Sequence, residues 1–144
     1  MTFKPYFTVP SKGAAPDAAL LLLRLVAGAA FLFHGWMKIQ HPFSWMGPES
    51  HTPAFLQGLA ALSEFGGGLA WVLGLLTPLA SLGIACTMAY ASWSVAMDFH
   101  APFVSMTGGL SWELSAVFFG IALALMLGGP GRFSLDRMLF GPRN

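Results

Sequence analysis

The chain has 144 residues, of which 56% are hydrophobic and only 9% are charged, and its mean hydropathy is +0.66. Soluble domains carry about 25% charged residues, so this composition excludes an ordinary soluble protein and indicates an integral membrane protein. The formal net charge of +1 gives no basis for binding nucleic acid.

Four apolar runs are long enough to cross a membrane as helices. The hydrocarbon core of a bilayer is about 30 Å thick, and a helix needs about 20 apolar residues to span it. The runs cover approximately residues 17–38, 53–76, 78–97 and 111–128, followed by a tail at 129–144. We therefore predict an all-α protein, an integral membrane four-helix bundle that forms one domain over residues 1–144.

Proline and glycine mark the ends of these runs. Thr52-Pro53 and Thr77-Pro78 each place a threonine that could cap a helix before a proline at the first helical position, where the missing N–H costs nothing. The short junction at Thr77-Pro78 predicts an antiparallel hairpin of the second and third helices. Gly128-Gly129-Pro130 ends the fourth helix.

Basic residues set the predicted orientation. With four spans, both termini and the 76–78 turn lie on one side, which carries Lys4, Lys12, Arg132, Arg137 and Arg143. The other side carries only Lys38. Since cytoplasmic loops are enriched in lysine and arginine, we predict a multi-pass inner-membrane protein with cytoplasmic N- and C-termini and outward-facing loops at 39–52 and 98–110.

The first two predicted helices carry ionisable residues at membrane depth, where such residues are costly and usually mark function or pairing. Arg24, His34 and Lys38 share one face of the first helix. At 1.5 Å per residue, Glu64 of the second helix is expected between Arg24 and His34 in depth. Two interpretations stay open: an Arg24–Glu64 ion pair that only fixes helix register, or a Glu64–His34 hydrogen bond within a proton-handling site.

The second helix also contains a glycine triplet. Gly67, Gly68 and Trp71 follow Glu64 at spacings that place all four on one face. Small residues allow helices to pack closely in membranes, and this is the simpler interpretation. The same glycines would leave room for a flat ligand beside Glu64 and Trp71.

The predicted outer side collects the histidines and several acidic residues, which are His34, His41, His51, His100, Glu49, Asp98 and Glu113. None of the histidines has HxxxH or HExxH spacing, so the sequence predicts no preformed metal site. Trp36, Trp45 and Trp112 are typical of an interfacial aromatic belt.

Three segments resemble the DoxX family of small four-span bacterial and archaeal membrane proteins. They are LLLRLVAGAAFLFHGWMK, LSEFGGGLAWVLGLLTPLAS and GGPGRFSLDRMLF. The resemblance extends from about Leu20 to Phe140, and HGWMK and GPGRFSLDR are its most specific parts. By this resemblance, family members carry the same residue types at Arg24, His34, Gly35, Lys38, Glu64, Gly67 and Glu113.

The resemblance implies a role in a redox system, because DoxX-type proteins are associated with electron delivery to quinone, with oxidative-stress complexes and with copper or other metals. We therefore predict a membrane subunit with a quinone-type or other small hydrophobic ligand near the outer leaflet, and, if it is an enzyme, a quinone-linked oxidoreductase subunit. His34 would relay a proton, Glu64 would orient or exchange it, and Arg24 would keep Glu64 ionised. Predicted ligand-binding residues are Lys38, Gly67, Trp71, Asp98, His100 and Glu113.

Two other functions remain open on the sequence alone. The protein could be a non-catalytic subunit that anchors or assembles a larger complex, in which the polar residues only lock the helices together. It could also handle copper through His34, His100 and the outer methionines, since thioethers and imidazoles bind Cu(I). The expected partners are the lipid bilayer and either other subunits or further copies of the chain.

Overall fold

The computed structural model describes residues 9–10 and 13–143, which are helical apart from turns and a two-residue parallel pairing of β1 (Val9–Pro10) with β2 (Pro142–Arg143). The helices are α1 (Ala14–Gln40), α2 (Ala54–Ala61), α3 (Gly67–Leu73), α4 (Thr77–Met97), α5 (Glu113–Gly128) and α6 (Leu135–Phe140). A π-helical turn (Leu62–Gly66) joins α2 to α3. Helices lie over all four predicted apolar runs.

Two of the described helices, α1 and α4, are long and apolar enough to cross a membrane, and α5 is apolar but shorter. At 1.5 Å per residue, α1 is about 40 Å long and α4 about 32 Å. The hydrocarbon core is about 30 Å thick. Helix α1 is therefore about 10 Å longer than the core it would cross.

Glycines bring α1 against the π-helical turn and α3. A Cβ built at Gly28 would lie 2.8 Å from Gly68 O, and a Cβ built at Gly68 would lie 2.9 Å from Gly28 O. Further along α1, a Cβ at Gly35 would lie only 2.5 Å from Phe65 N. The predicted close helix packing at the glycine triplet is confirmed at Gly68.

Aromatic side chains join the helices in the interior. Phe31 of α1 contacts Trp71 of α3 edge-on at a centroid distance of 5.5 Å and Phe118 of α5 at 4.7 Å. Trp71 is fully buried and donates its Nε1–H to Ser81 Oγ of α4 at 2.9 Å. Lipid tails are as apolar as these side chains, so dispersion contacts and interhelical hydrogen bonds, rather than the hydrophobic effect, stabilise such an interior.

The predicted helix starts are right in position, but the predicted threonine caps are wrong. Helix α2 begins at Ala54 and α4 at Thr77, and the residue before each start makes no side-chain cap. At α4, the carboxylate of Asp136 accepts the N–H groups of Leu76 at 2.6 Å and Thr77 at 2.8 Å. Leu76 has φ 47°, a left-handed conformation that costs a non-glycine residue about 1–2 kcal/mol. The carboxylate offsets this strain.

The segment after α5 folds back onto α1. We call residues 130–136 the C-terminal latch. Arg24 donates from Nη1 to Pro130 O at 2.8 Å and from Nη2 to Phe133 O at 2.7 Å. Asp17 Oδ1 accepts the main-chain N–H of Arg132 at 3.0 Å. Arg24 and Asp17 are both buried, so α1 holds the latch through charged groups shielded from solvent.

Candidate functional site

A cleft of about 170 Å³ lies between α1, the π-helical turn, α4 and α5. Its apolar walls include Phe31, Met88 and Phe118, and its polar lining consists of His34, Lys38, Glu64 and Ser115. The cleft opens to the protein surface, since His34 and Leu114 at its edge are both exposed. Convergent polar groups in an apolar recess are typical of small-molecule sites.

Lys38 and Glu64 form an ion pair within this cleft. Lys38 Nζ lies 2.5 Å from Glu64 Oε1, and the Glu64 side chain is only 3% exposed, against 23% for Lys38. The Lys38 ammonium also lies 4.3 Å from the centroid of the Trp45 ring. A charge-assisted hydrogen bond and a cation–π contact thus act on the same ammonium group.

The π-helical turn brings Glu64 to Lys38. Gly35 has no side chain, so the main chain at Phe65 approaches α1 closely, and Lys38 is on the same face of α1 one turn further on. Glu64 immediately precedes Phe65 and is itself buried. π-Helical turns are rare and occur frequently at functional sites, which makes this carboxylate the best candidate for a functional acid or base.

Trp45 reaches Lys38 because Gln57 fixes the loop between α1 and α2. The buried Gln57 amide donates to Thr52 O at 2.9 Å, and its Oε1 accepts the N–H of Met46 at 3.2 Å. Trp45 Nε1 donates to Gln57 O at 3.0 Å. Trp45 is predicted as part of an aromatic belt, and Gln57 is not among the predicted site residues, although a glutamine in an apolar helix indicates such a role.

The predicted Arg24–Glu64 ion pair is wrong. Arg24 donates to main-chain carbonyl groups of the C-terminal latch, and Glu64 pairs with Lys38. A Cβ built at Gly74, just after α3, would clash with the Arg24 side chain, so the end of α3 lies beside Arg24. Gly35, further along α1, lies beside Phe65. The predicted pair assumed that the first residue of the first span and the last residue of the second span lie at the same depth. In the structure α3 ends beside Arg24, so Glu64 lies further along α1, next to Lys38.

Two other predicted ligand-binding residues lie in the protein interior. Trp71 packs on Phe31 and bonds to Ser81. A Cβ at Gly67 would lie 3.0 Å from the side chain of Ile84. In the described part of the chain, the residues around Gly67 and Trp71 are therefore packing partners, and the cleft is lined by other side chains.

The remaining predicted ligand-binding residues lie on the exposed surface, between α4 and the first residue of α5. Asp98 accepts a hydrogen bond from Ser94 Oγ at 2.7 Å, and His100 has φ 49°. Glu113 begins α5, and its main-chain N–H donates to Phe103 O at 3.0 Å. Asp98, His100 and Glu113 are exposed, and the cleft lining does not include them.

Within residues 13–143 no group of three or more His, Cys, Asp or Glu side chains is arranged to hold a metal ion.

Comparison with known proteins identifies the family of this chain. Residues 19–97 match the DoxX family. The chain is similar to "Inner membrane protein YqjF" of Escherichia coli strain K12, with 31% identity over 128 residues, which cover 85% of this chain and 93% of the relative. No solved structure matches the chain. The predicted inner-membrane location is confirmed by these matches. Because the family match covers more than half of the chain and the relative is similar over nearly its whole length, this helical inner-membrane protein belongs to the DoxX family.

Proposed function

We propose that the protein is a four-span membrane subunit of a redox system, with both termini in the cytoplasm, and that its cleft binds the ring of a quinone-type ligand. The observation that carries this proposal is the meeting of His34, Lys38 and Glu64 in an apolar recess. In a chain with so few ionisable residues, three of them at one recess favour a chemical role.

The size of the cleft suits a ring rather than a large ligand. Sites for drug-sized molecules measure about 300–1,000 Å³, whereas this cleft measures about 170 Å³. Phe31 and Phe118, whose ring centroids are 4.7 Å apart, provide an apolar wall against which a flat ring could pack. An attached isoprenoid chain would leave past the exposed edge at His34 and Leu114 and continue in the lipid.

The polar groups suit a neutral ligand with carbonyl oxygens. Lys38 and Glu64 compensate each other's charge, so the cleft offers no net charge to attract an ion. The Lys38 ammonium is a hydrogen-bond donor for one carbonyl oxygen, and the exposed His34 imidazole is a donor for another. Ser115 accepts a hydrogen bond from Ser92 and donates one to Trp112 O, which leaves His34 and Lys38 as the main donors.

The role of this chain in the chemistry is proton handling. Reduction at such a site requires two electrons, which a redox centre of a partner protein would deliver, and two protons. An imidazole can both accept and donate a proton, and His34 lies at the exposed edge of the cleft, so it can take up protons and pass them inward. Glu64 orients Lys38 and, once Lys38 turns towards the ligand, takes up a proton from His34 and passes it to a ligand oxygen. This role of Lys38 replaces the one predicted for Arg24.

Substitution of His34 tests this proposal. His34→Gln retains a hydrogen-bonding side chain but cannot relay a proton, so we expect normal assembly, a lower rate of quinone-linked activity in membranes with matched protein levels, and quinone affinity within about tenfold of the wild type. His41→Gln is the matched control, because His41 is exposed in the loop and outside the cleft lining. Affinity is measured with a short-chain quinone through quenching of the tryptophan fluorescence of the protein. If His34→Gln equals the wild type in both activity and affinity, the cleft has no quinone-linked role.

A non-catalytic anchor or assembly subunit is the second candidate. It is favoured by the short, shielded contact between Lys38 and Glu64, since such a pair can lock α1 to the π-helical turn with no other role. Under this candidate, Glu64→Gln lowers the stability of the protein and the yield of its complex. The redox activity per amount of assembled complex then equals that of the wild type.

A further inference from the structure

We propose that the exposed face of α6 binds the headgroups of anionic phospholipids in the membrane leaflet at its end of the protein. The amphipathic pattern of this helix is the inverse of that of a helix solvated at a protein surface. Its acidic residue, Asp136, is fully buried, while Met138 is 79% and Leu139 65% exposed. Phe133, just before the helix, is also exposed. Apolar side chains facing outwards beside basic residues are typical of interfacial helices.

The contacts of α6 fix this orientation. The carboxylate of Asp136 accepts the N–H groups of Leu76 and Thr77, and its own N–H donates to Gly74 O at 2.8 Å. Ser134 caps the helix by accepting the N–H of Arg137 at 3.3 Å. Rolling α6 to bury its apolar side chains would break the bonds of Asp136, so these side chains stay directed away from the protein.

The length of α1 puts this end of the protein at the membrane boundary. About 20 residues of α1, counted from Gln40, span a 30 Å hydrocarbon core, which sets the other boundary near Leu20. The C-terminal latch contacts α1 from Asp17 to Arg24, on both sides of this boundary. The exposed face of α6 is thus expected at the depth of lipid headgroups and the first acyl carbons.

Charge favours lipid over a neutral protein surface as the occupant. Arg132 is half-exposed at 3.8 Å from Asp17, and its guanidinium lies 4.8 Å from the Phe133 ring centroid. A guanidinium group matches the geometry of a phosphate. Arg132 and Phe133 together thus present a phosphate-binding group next to an apolar anchor, which is the chemistry of an anionic phospholipid at the interface.

Depth measurements in vesicles test the proposal. The full chain with Cys86→Ser and Met138→Cys is labelled with an environment-sensitive fluorophore and reconstituted in vesicles of phosphatidylcholine and phosphatidylglycerol with spin-labelled lipids. Glu49→Cys, in an exposed loop, and Val26→Cys, on α1, are the aqueous and lipid controls. We expect the label at Met138 to be quenched most by spin labels near the headgroup and little by aqueous iodide. Iodide quenching as strong as at Glu49→Cys overturns the proposal.

Lipid selectivity tests the role of charge. We expect spin-labelled phosphatidylglycerol to be preferred over phosphatidylcholine near the label by about fivefold, as one basic group at the surface allows. Arg132→Gln should bring this ratio close to one, and Arg132→Lys should restore most of it. Equal quenching by both lipids in the labelled protein that retains Arg132 contradicts the proposal. Shielding of the label from iodide in native membranes that is lost in vesicles also contradicts the proposal, because a partner protein would then cover this face.

Discussion

Lys38 and Glu64 are an unequal ion pair, because Glu64 is shielded while Lys38 keeps some access to solvent. Removing one partner of a buried pair leaves an uncompensated charge, which typically costs 3–5 kcal/mol. Replacing both partners by uncharged residues avoids this cost. The pair therefore couples the two residues energetically, whatever ligand the cleft binds.

We predict that Glu64→Gln lowers the free energy of unfolding in detergent by about 3 kcal/mol, towards the low end for buried pairs because Lys38 is partly exposed. Adding Lys38→Met should recover part of this loss. Unfolding is followed by circular dichroism in increasing denaturing detergent, with Glu49→Gln in the exposed loop as the control. Losses that simply add in the double variant would mean that the two residues are not coupled.

At the level of residues, the sequence predicted part of the candidate site. His34 and Lys38 share a helical face, and the expected axial depths put Glu64 within reach of His34, but the pairing of Glu64 with Lys38 was not predicted. The partner of Arg24 could not be predicted, because spacing along one helix says nothing about its axial offset from a neighbour. That offset is set by contacts such as Gly28 with Gly68, which no local pattern encodes.

Among the elements, the crossing of α1 with the π-helical turn depends on one missing side chain. We predict that Gly35→Ala destabilises the protein by about 1–3 kcal/mol, the usual cost of overpacking, and separates Lys38 from Glu64, since the new methyl group would meet Phe65 N. Thermal unfolding in detergent measures the loss. Gly120→Ala on α5 is the control, because a Cβ there meets nothing within 4 Å and should instead stabilise the helix by about 1 kcal/mol. Equal stability of Gly35→Ala and wild type would show that the helices separate without cost.

The C-terminal latch depends on Asp136 in a similar way. We predict that Asp136→Ala lowers stability by about 2–5 kcal/mol, because the N–H groups of Leu76 and Thr77 lose their acceptor and each unsatisfied buried group costs about 1–3 kcal/mol. Protease sensitivity after α5 should rise as the latch detaches. Met138→Ala in the same helix removes an exposed side chain and should change neither property. Unchanged proteolysis of Asp136→Ala would show that other contacts suffice to hold the latch.

Elements with local signals were predicted well and elements without them were not. The apolar runs and their proline and glycine boundaries placed the long helices to within a few residues. The C-terminal latch was predicted only as a tail, because its bonds to the other helices join residues 59 to 115 positions apart, as from Thr77 to Asp136 and from Arg132 to Asp17. The π-helical turn was also missed, since its residues read as part of an ordinary apolar helix.

For the whole molecule, orientation in the membrane is the most direct prediction. In a Cys86→Ser background, a membrane-impermeant maleimide applied to intact spheroplasts should label Ser50→Cys, in the loop before α2, and leave Ser11→Cys unlabelled. Permeabilised cells should label both, which controls for reactivity. Because the basic residues are concentrated at the termini, labelling of Ser11→Cys from outside would reverse the proposed topology.

The π-helical turn sets the rotation of α2 relative to α3. A π-turn takes up one residue more than the same turn of α-helix, and each residue turns an α-helix by about 100°. If residues 62–66 straightened into an ordinary α-helix with no residue removed, α2 would rotate against α3 by about that angle. Gln57 could then hold the loop before α2, or Trp71 could fill the interior, but not both. Deleting Ser63 should instead remove the π-turn and leave α2 and α3 facing as they do now.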